Sequence, residues 1–312
     1  MQQIHHTTFD IVIIGNVGID TNVYSPNNNI NSNVETNFTE NIDYIGQAGG
    51  YSARGFAQLG YKTAFIGYVG DDFEGQFILE EFTKDGINTD GVFIDPIGTS
   101  RSINLMYANG KRKNFYDGKS HFVLQPNLEI CKSILQKTKL AHFNIPNWAR
   151  HLLPMAKELG VVISSDIQDV TDITDSYRND FIHYSDVLFF SSVNQQTPDK
   201  YIEIVLSQYP DKIVVSGMGE KGCAVGTKNG ITHFKPEELN KPVIDTNGAG
   251  DGLATGFLAG YYLEKMNLED AVKMGQTVAR YTCSLKADTS HLVHKNQLFE
   301  ILNNGYYSRS GL

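Results

Sequence analysis

The chain has 312 residues, a hydrophobic fraction of 41% and a formal net charge of −9 at pH 7. This acidic balance argues against a nucleic-acid-binding surface. Any bound anion must therefore be held by a local group of donors and not by the overall charge of the protein. No apolar run approaches the ~18 residues of a membrane span, and the polar first ten residues do not resemble a secretory signal. Three widely spaced cysteines are typical of reduced thiols, and a cytoplasmic protein is therefore expected.

The first half of the chain alternates apolar strands with helices that are bounded by glycines. FDIVIIG and KTAFIGYVG predict buried strands, whereas GGYSARGFAQLG and DFEGQFILEEFTKDG predict helices that end at Gly60 and Gly86. Two patches, at about 20–45 and 92–117, interrupt this pattern with alternating polar and apolar residues, and Asn109-Gly110 is a hairpin signal. These patches are predicted to pair as a small second sheet.

Strands and helices continue to alternate after residue 118. LAHFNI, VVISSDI, DVLFFS and KIVVSG each predict a strand, and a helical or polar segment follows each of them. Alternation at this spacing predicts an α/β fold with a parallel sheet that is covered on both faces.

The sequence VIDTNGAGDG, at residues 243–252, places three glycines beside two aspartates where a strand gives way to a helix. A helix that begins at Gly250 would direct its free N–H groups and its positive dipole end at a bound phosphate. Asp251 could then accept the proton of an attacking hydroxyl. From the turn alone, a glycine-rich loop with Asp251 as a helix cap explains the pattern equally well. Gly252, Gly256 and Gly260 are four residues apart and therefore lie on one face of a helix. This pattern predicts close packing of the helix and no catalytic role.

Further motifs make the interpretation specific. DTNGAGD resembles the D-T-x-G-A-G-D signature of the PfkB (ribokinase-like) family of carbohydrate and nucleoside kinases. GGYSARGFAQLGYKTAFIGYVGDDFEG is similar to the first signature of that family, IGNVGID to its first strand, and GMGEKGC to its nucleotide-side turn. The resemblance, which runs from about residue 10 to 290, implies a ribokinase-like three-layer sandwich with a mostly parallel central sheet. It also implies a single domain over residues 1–312, with a small β-sheet lid formed by about 20–45 and 92–117.

The resemblance also implies the reaction and its residues. The expected activity is ATP-dependent phosphorylation of a hydroxyl group of a sugar or related polyol, with ATP and Mg²⁺ as cofactors and K⁺ as a further candidate. Asp251 would be the base, and the N–H groups of Gly248, Ala249 and Gly250 would form an anion hole. The remaining implied residues are Asp20, Gly49, Gly50 and Arg54 for the acceptor, Asn194, Gly217, Gly219, Gly222 and Gln276 for the nucleotide, and Asp245 and Thr246 for a monovalent cation. The implied partner is a small-molecule sugar or nucleoside, and lids of this type also predict a homodimer.

Two departures from the family pattern bear on the acceptor and the metal. Arg54 stands where the family usually has asparagine, so it could bind an anionic acceptor bidentately, or it could pair with an acid such as Asp20 or Asp43. The basic run Lys111 to Lys113 is interpreted as a solvated hairpin tip. The N-x-x-E motif lacks its glutamate near Asn194, which weakens the expectation of ordinary magnesium handling without removing it, because ATP phosphates bind most of the metal.

Three alternatives stay open at this point. A nucleoside kinase would use the same base, with Tyr51, Phe115 or Tyr116 stacked on a nucleobase. A non-catalytic binding protein would have lost the metal motif. A nicotinamide dehydrogenase ranks last, because GNVG lacks the full G-x-G-x-x-G fingerprint.

Overall fold

A computed structural model describes residues 8–170, 172, 175–192 and 197–309, the last six of these by their backbone only. The described chain forms thirteen strands and nine α-helices. The strands are β1 (Ile11–Ile14), β2 (Gly18–Tyr24), β3 (Glu40–Gly46), β4 (Thr63–Gly70), β5 (Asn88–Asp95), β6 (Ser100–Met106), β7 (Arg112–Asp117), β8 (Leu140–Phe143), β9 (Val162–Asp169), β10 (Val187–Ser191), β11 (Ile213–Gly217), β12 (Cys223–Thr227) and β13 (Gly230–Phe234). The helices are α1 (Gln47–Gln58), α2 (Phe73–Lys84), α3 (Leu128–Leu135), α4 (Leu153–Glu158), α5 (Asn179–Tyr184), α6 (Asp199–Gln208), α7 (Ala249–Leu258), α8 (Leu268–Thr282) and α9 (Lys295–Arg309).

Nine strands form the central sheet, in the order β13-β12-β11-β10-β9-β8-β1-β4-β5. Seven neighbouring strands of this sheet, β11-β10-β9-β8-β1-β4-β5, pair in parallel. Strands β12 and β13 add an antiparallel edge next to β11. The predicted α/β fold with a mostly parallel sheet is thus confirmed. Because parallel strands place their carboxyl ends at one edge, the loops that follow β1, β8, β9 and β11 open on the same side of the sheet.

Helices cover both faces of the central sheet, which makes three layers. Along β1 the side chains alternate between two cores: Ile11 and Ile13 pack with α1, α2, α7, α8 and α9, whereas Val12 and Ile14 pack with α3 to α6. All four of these side chains are fully buried, and each such burial contributes roughly 1.5–3 kcal/mol. The continuous apolar run of β1 follows from this double coverage.

The other four strands form the small sheet, in the order β3-β2-β6-β7. Strand β2 pairs antiparallel with β3 and parallel with β6, and the predicted turn at Asn109-Gly110 joins β6 to β7. One boundary of the predicted lid was wrong. Residues 92–95 belong to β5, which is the edge strand of the central sheet. Like a hairpin strand, this edge strand mixes exposed and buried side chains, so its sequence does not show which sheet it joins.

Helix α7 begins at Ala249, one residue earlier than predicted, because Gly248 is its N-cap in a left-handed conformation (φ 75°). The small-residue stripe runs along α7 to Gly260, just beyond the end of the helix, and packs closely on α8, as the sequence predicts. Added Cβ atoms at Gly252, Gly256 and Gly260 would lie 3.0, 2.7 and 3.1 Å from the Cα atoms of residues 279, 275 and 271. Among the described helices, none is long and apolar enough to cross a membrane.

Candidate active site

The turn before α7 leaves open space above its backbone. Gly250 is exposed, and a Cβ atom added there would have only the Asp166 carboxylate within 4 Å, at 3.9 Å. Within the described chain, the N–H groups of Gly248 and Gly250 donate to no acceptor, while that of Ala249 makes a long bond of 3.4 Å to the Thr246 carbonyl. Free N–H groups at a helix start bind anions, so this turn fits a phosphoryl group.

Asp251 lies in the first turn of α7, and its Oδ1 accepts no hydrogen bond from the described residues. Burial and the neighbouring Asp166 carboxylate raise the pKa of Asp251 well above its usual value. Asp166, in the second half of β9, is itself buried, and burial raises its pKa above the usual value. A carboxyl group with a raised pKa suits proton transfer near neutral pH.

Arg112 is a site residue that the sequence interpretation set aside as part of a solvated hairpin tip. Its guanidinium donates to the side-chain oxygen of Asn247, in the turn that precedes Gly248. The positive charge also lowers the pKa of Asp251, in opposition to Asp166. The basic residue at the start of β7 therefore faces the turn of α7, which sequence position alone does not indicate.

Asp20 lies on β2 of the small sheet and is almost fully buried. Its Oδ2 accepts the backbone N–H of Gln47 at 3.2 Å, while its Oδ1 accepts no hydrogen bond within the described chain. Burial raises the pKa of Asp20 to about 6, and its charge in turn raises the pKa of Asp251. The structure thus brings Asp20 and Asp251, 231 positions apart in the sequence, to one site.

The glycine pair at the start of α1 has a packing role. A Cβ atom on Gly49 would lie 2.4 Å from the carbonyl oxygen of Asn16, whereas one on Gly50 would meet Val17 and Ile45 at ordinary distances of 3.4 and 3.5 Å. Gly49 therefore allows α1 to approach the loop that connects β1 to Asp20. Both glycines are buried, so they shape the site through the position of α1.

Arg54 does not extend toward this group of carboxylates with a free guanidinium. It is 3% exposed, its Nε donates to Asp85 at 2.6 Å, and its Nη2 lies 3.4 Å from Glu81. Its Nη1 donates to the hydroxyl groups of Thr289 and Ser290. The structure shows the ion-pair alternative, but with other acids than Asp20 or Asp43: Glu81 belongs to α2, and Asp85 directly follows that helix.

A buried amide that sequence reasoning missed lies beside the end of β1. Asn144 directly follows β8 and is 2% exposed, yet neither of its amide atoms has a hydrogen-bond partner among the described residues. Gly15 leaves room for it, since a Cβ atom there would lie 2.0 Å from its Oδ1. An unpaired buried amide costs about 1–3 kcal/mol, so Asn144 fits a contact to a ligand hydroxyl.

The predicted nucleotide-side residues cluster around β11 and α8. Gly217 ends β11, and a Cβ atom on it would lie 3.7 Å from Leu253 of α7, while Gly219 (φ 60°) and Gly222 (φ 92°) form the following turn. Gln276 is buried, with its Nε2 bonded to the Cys223 sulfur and its Oε1 accepting the Glu237 N–H. Both polar ends of Gln276 therefore hold protein groups. Asn194 lies outside the described residues.

The carboxylate of Asp245 already has protein donors. Its Oδ2 accepts from Asn22 at 2.7 Å and from the Tyr24 hydroxyl at 2.8 Å, and its Oδ1 accepts the Asn247 N–H at 2.8 Å. Thr246 is exposed. Asp245 thus ties the turn of α7 to the small sheet, a role that needs no monovalent cation.

The described part of the chain contains no group of three or more His, Cys, Asp or Glu side chains that could hold a metal. The pair of Asp166 and Asp251 offers carboxylate oxygens, which Mg²⁺ prefers, and Mg²⁺ commonly takes one or two carboxylates together with substrate phosphates. A divalent cation would also offset the repulsion between these two carboxylates. The pair therefore fits a metal that arrives with ATP.

Comparison with known proteins identifies the family. The family model for pfkB family carbohydrate kinases matches residues 8–295. The chain belongs to this family. It is an ATP-dependent carbohydrate kinase, and its fold is ribokinase-like.

Individual relatives agree with this assignment. The chain is 24% identical over 294 residues to an acarbose 7(IV)-phosphotransferase of Actinoplanes sp., covering 93% of this chain and 97% of the relative. It is 26% identical over 318 residues to a 5-dehydro-2-deoxygluconokinase of Clostridium perfringens, covering 88% and 89%. The solved structure of a microbiome-derived acarbose kinase, Mak1, superposes with a TM-score of 0.86 at 26% identity, covering 95% of this chain and all of that one.

Proposed function

We propose that this kinase phosphorylates a hydroxyl group of a sugar or related polyol, with Asp251 as the base. The observation that carries the proposal is the pairing of a free carboxylate oxygen on Asp251 with the open, unpaired N–H of Gly250 one residue before it. A hydroxyl bound at this point can lose its proton to Asp251 while the N–H groups of Gly248 to Gly250 stabilise the transferring phosphoryl group. The relatives are named for different acceptors, so the names do not select one.

The other residues of the site have separate tasks in this mechanism. Arg112 brings positive charge to the turn where negative charge develops, which stabilises the transition state of phosphoryl transfer. Asp20 and Asn144 offer unpaired polar atoms that can orient acceptor hydroxyls. A divalent cation bound with ATP neutralises phosphate charge, and Asp166 is the residue that would hold it, directly or through water.

Two finer points stay predictions. A K⁺ requirement follows from the family resemblance alone, because the oxygens of Asp245 already accept three hydrogen bonds. A nucleoside acceptor is less well supported than a sugar. Tyr51 is buried with its ring against Gly248, where a Cβ atom would lie 2.2 Å from it, so this ring is not free to stack on a base.

The variant Asp251→Asn tests the base assignment. Turnover should fall by about 10²–10⁴-fold, because the amide keeps the size of the side chain but cannot take a proton. Affinity for a non-hydrolysable ATP analogue, measured by calorimetry, should stay within about twofold of the wild type. A screen of ATP consumption over sugars, polyols, sugar phosphates and nucleosides supplies the acceptor. Unchanged turnover in this variant would rule out Asp251 as the base.

A further inference from the structure

Three asparagine side chains form a hydrogen-bonded row across the small sheet. Asn22 of β2, Asn104 of β6 and Asn114 of β7 lie directly opposite one another in the strand register, so they share one face of the sheet. The Nδ2 of Asn114 donates to the Oδ1 of Asn104 at 2.8 Å, and the Nδ2 of Asn104 donates to the Oδ1 of Asn22 at 2.9 Å. We call these three residues the amide ladder. Asn22 and Asn104 are buried and Asn114 is exposed, so the ladder runs from the surface into the protein.

The inner end of the amide ladder is a carboxylate. The Nδ2 of Asn22 donates to the Oδ2 of Asp245 at 2.7 Å, across 223 positions of sequence. Because an ionised carboxylate only accepts hydrogen bonds, this contact requires the nitrogen of Asn22 to face Asp245 and leaves its oxygen for Asn104. The same reasoning fixes Asn104 and then Asn114. All three amides therefore point in one direction, and hydrogen bonds in such a chain strengthen one another.

Asp245 connects the amide ladder to the turn that precedes α7. Its Oδ1 accepts the backbone N–H of Asn247 at 2.8 Å, and the side-chain oxygen of Asn247 accepts from Arg112 of β7. Asn247 directly precedes Gly248, which is the N-cap of α7. The small sheet thus holds the residue before the proposed anion hole by its backbone and by its side chain.

Stability alone does not explain a buried row of amides. Apolar side chains of the same shape at both ends of a buried hydrogen bond are nearly neutral for stability, so an apolar row could fill this space. Such a row would not orient the carboxylate of Asp245. Orientation matters for catalysis, because groups in an active site must be held within about 0.5 Å of their productive positions. A displacement of about 1 Å can cost about 100-fold in rate.

We propose that Asn22, Asn104 and Asn114 are positioning residues, which aim the N–H groups of the turn before α7 at the transferring phosphoryl group. They act through Asp245 and need no contact with either substrate. This inference rests on the proposed function in one respect, since it requires that the turn holds the phosphoryl group. It does not require Asp251 to be the base.

An exchange of the amide and the carboxylate at the inner end tests the proposal. Asn22→Asp removes the donor and places a second carboxylate against Asp245. Adding Asp245→Asn restores a donor, and the Tyr24 hydroxyl, which lies 3.1 Å from the Nδ2 of Asn22, can donate to the carboxylate at position 22. The double variant therefore keeps the net charge and rebuilds the contact in reverse.

Steady-state kinetics of the full-length enzyme, with the sugar of highest turnover in the ATP-consumption screen, give the first readout. Asn22→Asp should lower kcat about 10- to 100-fold and leave the KM values for sugar and ATP within about twofold. The double variant should recover kcat to within about threefold of the wild type. Thermal unfolding establishes that each variant is folded at the assay temperature.

Binding of a phosphoryl mimic gives a second readout that does not depend on turnover. Calorimetry measures the Kd of ADP with Mg²⁺ and the same sugar, with and without aluminium fluoride. Aluminium fluoride should tighten ADP binding tenfold or more in the wild type and in the double variant. In Asn22→Asp most of this tightening should be lost, while the Kd of ADP alone stays within about twofold.

A variant at the exposed end keeps the test valid if Asn22→Asp does not fold. Asn114→Asp places a carboxylate at the outer end, which competes with Asp245 for the direction of the Asn104 amide, and it should lower kcat about threefold with unchanged KM values. The matched control is Asn41→Asp, which makes the same charge change at an exposed asparagine of β3 outside the ladder. It should change none of these values.

The outcomes separate this inference from the proposed function. If folded Asn22→Asp keeps its kcat and its tightening, if the folded double variant does not recover, or if Asn114→Asp behaves like Asn41→Asp, the ladder is overturned and the anion hole stands. If aluminium fluoride does not tighten ADP binding in the wild type, the anion hole fails and the ladder fails with it. If the tightening is lost and recovered as expected while Asp251→Asn keeps full turnover, the ladder stands and the base assignment fails.

Discussion

Helices α1 and α7 both begin in glycine-rich sequence at the same edge of the protein, yet their glycines have opposite uses. At α1, Gly49 allows a contact between two parts of the chain, since a Cβ atom would lie 2.4 Å from the Asn16 carbonyl oxygen. At α7, Gly250 is exposed and has only Asp166 within 4 Å of such an atom. Glycine permits close approach in both places. One approach is to the protein itself, whereas the other, in the proposed mechanism, is to the transferring phosphoryl group.

Alanine substitutions at Gly49 and Gly250 test this difference directly, and we expect them to cause the largest changes in kcat and in stability. Gly250→Ala should lower kcat about 10- to 100-fold, because a methyl group moves the phosphoryl group away from the N–H donors. Its free energy of unfolding should stay within about 0.5 kcal/mol of the wild type. Gly49→Ala should instead lower the free energy of unfolding by about 1–3 kcal/mol through overpacking. Urea denaturation and steady-state kinetics measure both quantities.

Gly50→Ala is the control for the pair. Its Cβ atom would make only ordinary contacts, at 3.4 and 3.5 Å, so neither stability nor kcat should change much. Loss of activity without loss of stability in Gly49→Ala would contradict the packing role. Loss of stability without loss of activity in Gly250→Ala would contradict the anion-binding role.

Arg54 extends the comparison along α1, where its guanidinium also serves packing. Arg54→Met should lower the free energy of unfolding by about 2–3 kcal/mol, because Asp85 and Glu81 both lose their positively charged partner. The loss is limited because both carboxylates are partly exposed to solvent. The KM for the acceptor should not change, since no acceptor contact is lost. Double-mutant cycles with Asp85→Asn measure the coupling. A higher acceptor KM with unchanged stability would restore the anion-binding interpretation.

The sequence is most informative about the candidate site where one continuous motif contains its residues. Gly248 to Asp251 lie together because they are consecutive, and their free N–H groups follow from the start of a helix. The missed residues act across long separations: Arg112 reaches Asn247, 135 positions away, and Asp166 approaches Gly250 from a different strand. Nothing in a run of basic residues at a hairpin indicates which one faces the protein, because that depends on the register of β6 and β7.

The fold shows the same limit. Alternation of strands and helices predicts the parallel sheet, since each βαβ crossover is local in sequence. The error at residues 92–95 arose because an edge strand of one sheet and a strand of a separate small sheet both carry exposed side chains, so exposure alone does not assign a strand to its sheet. Arg54 was likewise ambiguous, because an arginine in a buried helix requires acids whose position only the packing of α1 on α2 determines.

The smallest expected effects are the shifts of the pH profile that the charges around Asp251 cause. The proposed base Asp251 must be deprotonated to act, so we expect kcat/KM to rise with pH through its raised pKa. Asp166 raises that pKa and Arg112 lowers it. Asp166→Asn should therefore move the acid limb of the pH profile to lower pH, and Arg112→Gln should move it to higher pH. Asp166→Asn should also lower kcat at every pH, because Asp166 is the residue proposed to hold the divalent cation.

Both profiles are measured at saturating Mg·ATP, with Lys113→Gln as a control that removes a charge from the same strand. Asp20 also raises the pKa of Asp251, and it is unchanged in all three variants. If Asp166→Asn and Arg112→Gln move the limb in the same direction, the charges do not act on Asp251 directly. If Lys113→Gln moves it as far as Arg112→Gln, the effect belongs to the net charge of the hairpin. Opposite shifts, with no shift in Lys113→Gln, would show that two charges act on the pKa of Asp251 from different sheets. A carboxylate of the central sheet raises it, and a guanidinium of the small sheet lowers it.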